Sequence, residues 1–383
     1  MTTPTTDAEN PPLSPDLFHG LSAERPHLCG GSAAPLLRSM ESVLRTYADA
    51  RADGMNGRGV LERAKSETAR RIAELLGQPA SSDHVAFAPS TGHALDTVAR
   101  AIDWREGDEV IVPAEDFPSV ILPWRPLESR GVSVRVPRGG DTPETAILEA
   151  TNAKTRVVCL SHVNWRTGLR VDLERLSAGL RPKGIRLVVD AGHSLGVLPV
   201  PGELCDVVVG CGHKFMLGLH GVAALYWRDV PDPARSDALA GWYSLSDMDG
   251  FTPENDPSFK GSASAFEPGN PNFIGILALG QGVETLRRAG MSKVSRHAVA
   301  LAGALRDFLD ARGIPALTPA AAERRGTSIA IPDPLGAELA KALADDGIMA
   351  AHGVGRLRIS FHGYNTERDL ERVKAAISQA ARP

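Results

Sequence analysis

The chain alternates between two hydrophobic periodicities over most of its length. Short runs dense in Val, Ile, Leu and Ala predict strands at His84–Ala88, Glu109–Pro113, Val132–Pro137, Arg156–His162, Arg186–Asp190, Asp206–Gly210 and Val222–Trp227. Before and between them, apolar residues at three- and four-residue spacing predict helices. These are Leu61–Leu76, ended by Gly77, then Gly92–Ile102, Glu144–Thr151 and Leu173–Leu180. Strands that are apolar on both faces need cover on both faces, which a mainly parallel seven-stranded sheet between helix layers provides. The pattern loosens over Pro231–Asn272, rich in Gly, Pro, Ser and Asp, where long loops are expected. A long helix is predicted from Ile274 through Arg287. The order then becomes Val294–Arg312 helix, Thr327–Ile331 strand, Leu335–Asp346 helix, Gly355–Ser360 strand and Thr366–Gln379 helix. The expected division is a flexible arm over residues 1–26, a large α/β domain over 27–282 and a small α+β domain over 283–383.

Composition narrows the class of partner. Net charge is −4, with Lys and Arg spread along the chain rather than gathered in a block. No basic patch for nucleic acid is therefore expected, and no apolar run of about 18 residues predicts a membrane span. The four cysteines, Cys29, Cys159, Cys205 and Cys211, show no CxxC spacing. They read as reduced thiols of a cytoplasmic protein, not as a disulfide frame or a metal site. The first residues lack the basic and apolar regions of a secretion signal.

Chemistry gathers where strands end, and ligands of parallel α/β sheets bind beyond the carboxyl ends of their strands. Asp190 closes one apolar run, and Lys214 follows the next by a few residues, preceded by Gly212 and His213. A lysine that forms a Schiff base and a buried carboxylate that keeps a pyridine nitrogen protonated are the needs of pyridoxal phosphate. A surface lysine and a capping aspartate are the plainer readings of each residue taken alone. His193, three residues after Asp190, is placed to contact the cofactor ring or its phenolic oxygen. Ser90-Thr91-Gly92 ends a strand and opens a helix, whose N–H groups suit a phosphate, although such a sequence also serves as an ordinary cap. Phe117, after another strand, is either a ring-stacking aromatic or a loop aromatic over the core. Arg356 and Arg358 share one side of their strand. Arg358 can grip a carboxylate with two parallel hydrogen bonds, where a structural ion pair is the alternative.

These segments together resemble the fold-type I pyridoxal-phosphate enzymes of the class V aminotransferase group, which includes kynureninases, isopenicillin N epimerase-like proteins, cysteine desulfurases and C–S lyases. The resemblance runs from about His27 to the C-terminus. It is carried by Leu28-Cys-Gly-Gly-Ser-Ala-Ala, Asp116-Phe-Pro-Ser, Ser161-His-Val-Asn-Trp-Arg-Thr-Gly168, Asp190-Ala-Gly-His193, Gly212-His-Lys214, Phe266-Glu-Pro-Gly-Asn-Pro-Asn272 and Arg358-Ile-Ser-Phe-His-Gly-Tyr-Asn-Thr366. The resemblance implies that Lys214 anchors the cofactor and shuttles a proton at the substrate Cα. It implies Asp190 at the ring nitrogen, His193 near the phenolic oxygen, and Thr91, Gly92 and His213 at the phosphate. It further implies that Asn270, and by the same likeness Trp242, reach the phosphate of the other subunit of a homodimer with a shared active site. Asn164 and Arg358 would hold the carboxylate of an amino-acid substrate, with Trp165 lining its loop.

Departures from the group shape the expected reaction. Cys211 stands where the group has Ser or Thr three residues before the lysine, removing one hydroxyl from the phosphate site. The stretch from Ala320 to Gly355 holds no cysteine, where desulfurases carry their nucleophile. Trp165 replaces a kynureninase tyrosine, and His213 stands where kynureninases have tyrosine beside the lysine. The favoured expectation is a C–S lyase working by β-elimination on a cysteine conjugate, in specialised biosynthesis. Amino transfer, epimerisation and decarboxylating deamination are the alternatives, and a non-catalytic binding protein of this fold is the reading from another class.

Overall fold

The computed structural model describes residues 11–79 and 81–380. The large sheet is built from β1 (Val85–Ala88), β2 (Glu109–Ile111), β3 (Ser133–Arg135), β4 (Thr155–Ser161), β5 (Arg186–Asp190), β6 (Val207–Cys211) and β7 (Ala223–Trp227), in the order β1-β7-β6-β5-β4-β2-β3. β7 is antiparallel to both neighbours and the remaining pairs are parallel, so the sheet is mixed. β4 to β7 are almost fully buried, as their unbroken apolar runs require. The predicted strands are present: β5 has the expected bounds, β4 and β6 are shifted by one residue, and β1, β2, β3 and β7 are shorter by one to three residues.

Helices cover both faces. α1 (Met40–Ala52), α2 (Gly54–Leu75), α3 (Thr91–Ala101), α4 (Pro118–Ile121), α5 (Pro143–Ala150) and α6 (Leu173–Leu180) precede or connect the strands. On one face Ile72, Leu76, Val158, Leu187, Val189, Ile276 and Val283 share a core. On the other, Leu95, Val98, Trp124, Val157, Val188 and Val209 do. α7 (Phe273–Ala289) packs along α2 and runs without a break to Gly290, whose φ of +83° starts α8 (Met291–Asp310). The chain therefore passes the expected division at residue 283 inside a helix. The small domain adds β8 (Ser328–Pro332), α9 (Leu335–Asp345), β9 (Ala351–Gly353), β10 (Arg356–Ser360) and α10 (Glu367–Ala380), with an antiparallel sheet ordered β8-β10-β9.

The N-terminal segment corrects an expectation. Residues 1–10 lie outside the described residues, but from Pro11 the segment expected to be a flexible arm is docked. Leu13 and Phe18 are buried, and the Leu13 N–H donates to the Gly363 carbonyl. Leu28 N–H donates to Met349 and accepts, at its own carbonyl, the Ser360 N–H, while the Ala34 N–H donates to the His213 carbonyl. Two buried apolar side chains and these long-range bonds offset the ordering entropy that the polar composition alone would leave unopposed.

α2 begins seven residues before the predicted Leu61, because glycines hide its first turns. Gly57 lies where a Cβ would overlap the Ala50 carbonyl of α1, and Gly282 of α7 lies where one would overlap the Met216 carbonyl, two residues after Lys214. Gly59, in contrast, faces only the tip of Arg63. Gly282→Ala is expected to lower the unfolding free energy by about 1–3 kcal/mol through overpacking. Gly59→Ala should raise it by roughly 0.5–1 kcal/mol through backbone entropy. Urea unfolding midpoints of the two variants check the contrast; equal shifts of one sign would contradict it.

Candidate active site

The site assembles at the carboxyl ends of five strands. β1 leads to Thr91, β2 to Phe117, β4 to Asn164, β5 ends on Asp190 and β6 leads through Gly212 and His213 to Lys214. Lys214 sits on a tight loop closed by the Gly218 N–H on the Gly212 carbonyl, and Leu217 there holds a left-handed φ of 59°. Backbone strain at a non-glycine residue is sustained only where the surroundings over-determine it. Here the crossing of α7 at Gly282 supplies that constraint. The Lys214 Nζ lies 3.3 Å from His193 Nε2 and 5.8 Å from the centre of the Phe117 ring.

Burial sets the electrostatics. Asp190 is pushed up to about 6 by desolvation, opposed by the Lys214 charge and the Gly192 N–H. One of its carboxylate oxygens accepts that N–H at 2.7 Å; the other has no hydrogen bond among the described residues. His193 is held well below its ordinary value, first by burial and then by the charges of Lys214, Arg358, Arg356 and His213. A neutral imidazole beside an ammonium accepts at Nε2, which places its proton on Nδ1. Asp116, not singled out beforehand, is the fastener of the Phe117 loop. It accepts from the Ser161 N–H and hydroxyl and from the Phe117 N–H. Ser161 pairs with Asp190 across β4 and β5, so this one carboxylate ties the aromatic loop to the strand pair that carries Asp190.

Ser90 caps α3 by accepting from the His93 N–H, leaving Thr91 and Gly92 in the first turn, where helix N–H groups lack intrahelical partners. His213 stacks on His220, with ring centres 4.1 Å apart and planes 17° from parallel. Burial, then the His220 and Lys214 charges, bring His213 down to about 4. Cys211 is buried, its thiol pushed up to about 11 by desolvation and placed 3.9 Å from the Gly192 carbonyl.

From the small domain, Arg358 donates to the Trp165 carbonyl at 3.0 Å and to the Ser32 hydroxyl at 2.7 Å. Burial, together with Arg356, lowers it to about 10, still charged at neutral pH. Trp165 meets Phe117 edge-on, ring centres 5.4 Å apart, joining this end of the site to the lysine end. Asn164 is committed to its own turn. Its Oδ1 accepts from the N–H groups of Arg166 and Thr167 and from the Thr167 hydroxyl, and its Nδ2 donates to the Glu115 carbonyl. The expected substrate contact of Asn164 is thereby reduced to its one remaining N–H; its main work is shaping the loop that presents Trp165. Trp242 and Asn270 lie apart from Lys214 within one chain. They share an exposed patch around Arg58, which donates to Asn270 Oδ1 at 3.0 Å and lies 5.4 Å from the Trp242 ring.

The residues fit pyridoxal phosphate. A lysine amine, a buried carboxylate with one unclaimed oxygen, an aromatic face and an open helix N-terminus lie at neighbouring strand ends, and two buried guanidinium groups with unpaired Nε–H lie against Trp165. The fold and this constellation define a fold-type I pyridoxal-phosphate enzyme acting on an amino-acid-type substrate. Residues 33–373 match the model of the aminotransferase class-V family, and the chain belongs to that family. It is 28% identical over 276 residues to a probable cysteine desulfurase of Methanothermobacter thermautotrophicus, an alignment covering 69% of this chain and 66% of that protein. Its fold superimposes on the apo cysteine desulfurase of Thermococcus onnurineus NA1 with a TM-score of 0.84 and 21% identity, over 96% of this chain and 98% of that one. It likewise matches the cystine C–S lyase C-DES in complex with cysteine persulfide, with a TM-score of 0.80 and 19% identity, over 92% and 97%. Among the described residues no helix is long and apolar enough to cross a membrane.

The environment of Asp190 has a pH signature in the apoprotein. Its folded pKa lies above the ordinary carboxylate value of 3.8, so the folded state holds the proton more tightly than the unfolded chain. Its contribution is least unfavourable below pH 4 and becomes a penalty as pH rises through 6. Asp190→Asn apoprotein should therefore unfold at higher temperature than wild type at pH 7, by up to about 3 kcal/mol of stability. The gap should close towards pH 4, as followed by calorimetry.

Proposed function

We propose that the protein is a C–S lyase that carries out β-elimination on an S-substituted cysteine. Bound pyridoxal phosphate would supply the electron sink that stabilises negative charge at the substrate Cα. Lys214 would anchor it covalently, Asp190 would hold its ring nitrogen and Phe117 would cover its ring. The first turn of α3 at Thr91 and Gly92, with His213, holds the phosphate. Arg358 fixes the substrate α-carboxylate, with Trp165 and the Asn164 loop beside it. The Lys214 amine would take the Cα proton and deliver it to the departing sulfur, with neutral His193 as the hydrogen-bond partner that aims it. The C–S bond breaks to give thiol and 2-aminoacrylate, which water hydrolyses to pyruvate and ammonia.

The observation that carries the lyase over a persulfide-forming desulfurase is the state of the four thiols. Cys159, Cys205 and Cys211 are buried and Cys29 is half-buried, and burial pushes each of them above the ordinary thiol value. A sulfur acceptor needs an accessible, acidified thiol. The loop before β10 contains no cysteine at all. The holoenzyme incubated with S-substituted cysteines is expected to release thiol, pyruvate and ammonia in equal amounts. Lys214→Ala should be colourless in the visible range and at least a thousandfold slower, in keeping with loss of both anchor and base. A keto acid formed without thiol would mean amino transfer instead.

A second copy of the chain would complete the phosphate site. Asn270 and Trp242 are exposed and share Arg58, and the large apolar side chains Leu239, Met248 and Met55 are exposed as well, which suits burial against a like surface. Sedimentation should give a two-chain particle, and Asn270→Ala should weaken cofactor retention by about tenfold. A monomer that holds the cofactor fully would overturn the shared site.

A further inference from the structure

The carbonyl oxygen of Trp165 accepts from two guanidinium groups at once, Arg356 Nη2 at 2.7 Å and Arg358 Nη1 at 3.0 Å. Both side chains are buried, 4% and 5% exposed, and neither has a carboxylate within 4.0 Å among the described residues. Arg166 adds a third positive charge close enough to disfavour that of Arg356. Like charges packed in a low-dielectric pocket without counter-ions are costly, and a structure keeps them where an anion is to be received.

The unpaired atoms say what kind of group is received. Three buried N–H groups here have no acceptor: Arg356 Nε, Arg358 Nε and Trp165 Nε1. All three are donors that cannot accept, so their complement is a group made of acceptors only. The Arg356 guanidinium also lies 5.0 Å from the Trp165 ring centre, so the two side chains are neighbours beside the Arg358 clamp. A single carboxylate gripped by Arg358 offers two oxygens and one charge. That leaves Arg356 and the indole N–H unanswered.

We infer that Arg356 and Trp165 Nε1 form a second oxyanion subsite, and that the substrate is an amino acid whose side chain ends in a carboxylate. This rests on the reading of Arg358 as the α-carboxylate clamp. Arg356 is a specificity residue: it holds the remote acid group and leaves the proton transfer at Lys214 unaltered.

The test measures binding separately from turnover. The holoenzyme is titrated with S-carboxymethylcysteine and with S-propylcysteine, and affinity is read from the perturbation of the cofactor absorbance. Wild type should bind the acidic conjugate on the order of tenfold or more tightly over the neutral one, as a charge-assisted hydrogen bond allows. Arg356→Gln should erase that preference through KM while kcat for S-propylcysteine is retained, Arg356→Lys should restore part of it, and Trp165→Phe should remove a smaller share. Equal affinity in wild type, or a preference that survives Arg356→Gln, overturns the inference. Should Arg356→Gln fail to fold, glutarate and butyrate as competitors of the wild type decide it: glutarate stronger supports the subsite, equal inhibition refutes it. If neither conjugate yields thiol and pyruvate while the binding preference holds, the lyase reading falls and the subsite stands.

Discussion

The site is organised by a separation of charge across one cleft. The buried carboxylates, Asp190 and Asp116, belong to the sheet, at the ends of β5 and β2. The buried guanidinium groups, Arg356 and Arg358, belong to β10 of the small domain. Lys214 and neutral His193 lie between them. A cofactor with a cationic ring nitrogen and a substrate with an anionic carboxylate have one favourable orientation in such a field, pointing nitrogen to sheet and carboxylate to small domain.

Much of this was legible in the linear order of residues, for a physical reason. A fully buried strand must be apolar throughout, so the first polar residue after it marks its carboxyl end, and in a parallel sheet those ends converge. Asp190 announced itself in that way, and Thr91, Phe117 and Lys214 lie in the short segments that follow such strand ends. Their supports did not. Asp116 looked like one more loop acid until its bonds to Ser161 placed it on β4. Arg356 was visible as a same-side neighbour of Arg358, but its shared acceptor is a carbonyl 191 positions away. α1 buries only Met40, Val43 and Ala50 and exposes Leu44, so its helical period is weak. Asn270 and Trp242 are not brought to Lys214 within one chain.

Cys211 and the stacked histidines show how a local loss is accommodated. A buried thiol offers a weak donor where a hydroxyl is usual in the group. Beside it, His213 has an aromatic neighbour, His220, lying flat against it. That contact fixes the plane of the imidazole next to Lys214 and limits the directions in which its N–H can point. Less rotamer freedom therefore remains for His213 to lose when a ligand is bound beside it.

The sutures made by residues 27–34 carry a consequence for biosynthesis of the molecule itself. His27 bridges to Met349, Cys29 to Ser360, and the Ala34 N–H binds the lysine loop at His213. Elements from the first tenth of the chain are thus completed by elements from the last. A ribosome delivers these partners in order, with the small-domain strand emerging near the end of translation. The large sheet can form early, but the cleft stays open on its cationic side until β10 arrives. The cationic wall of the site is then completed only with the polypeptide, and a chain truncated before Arg356 lacks both buried guanidinium groups.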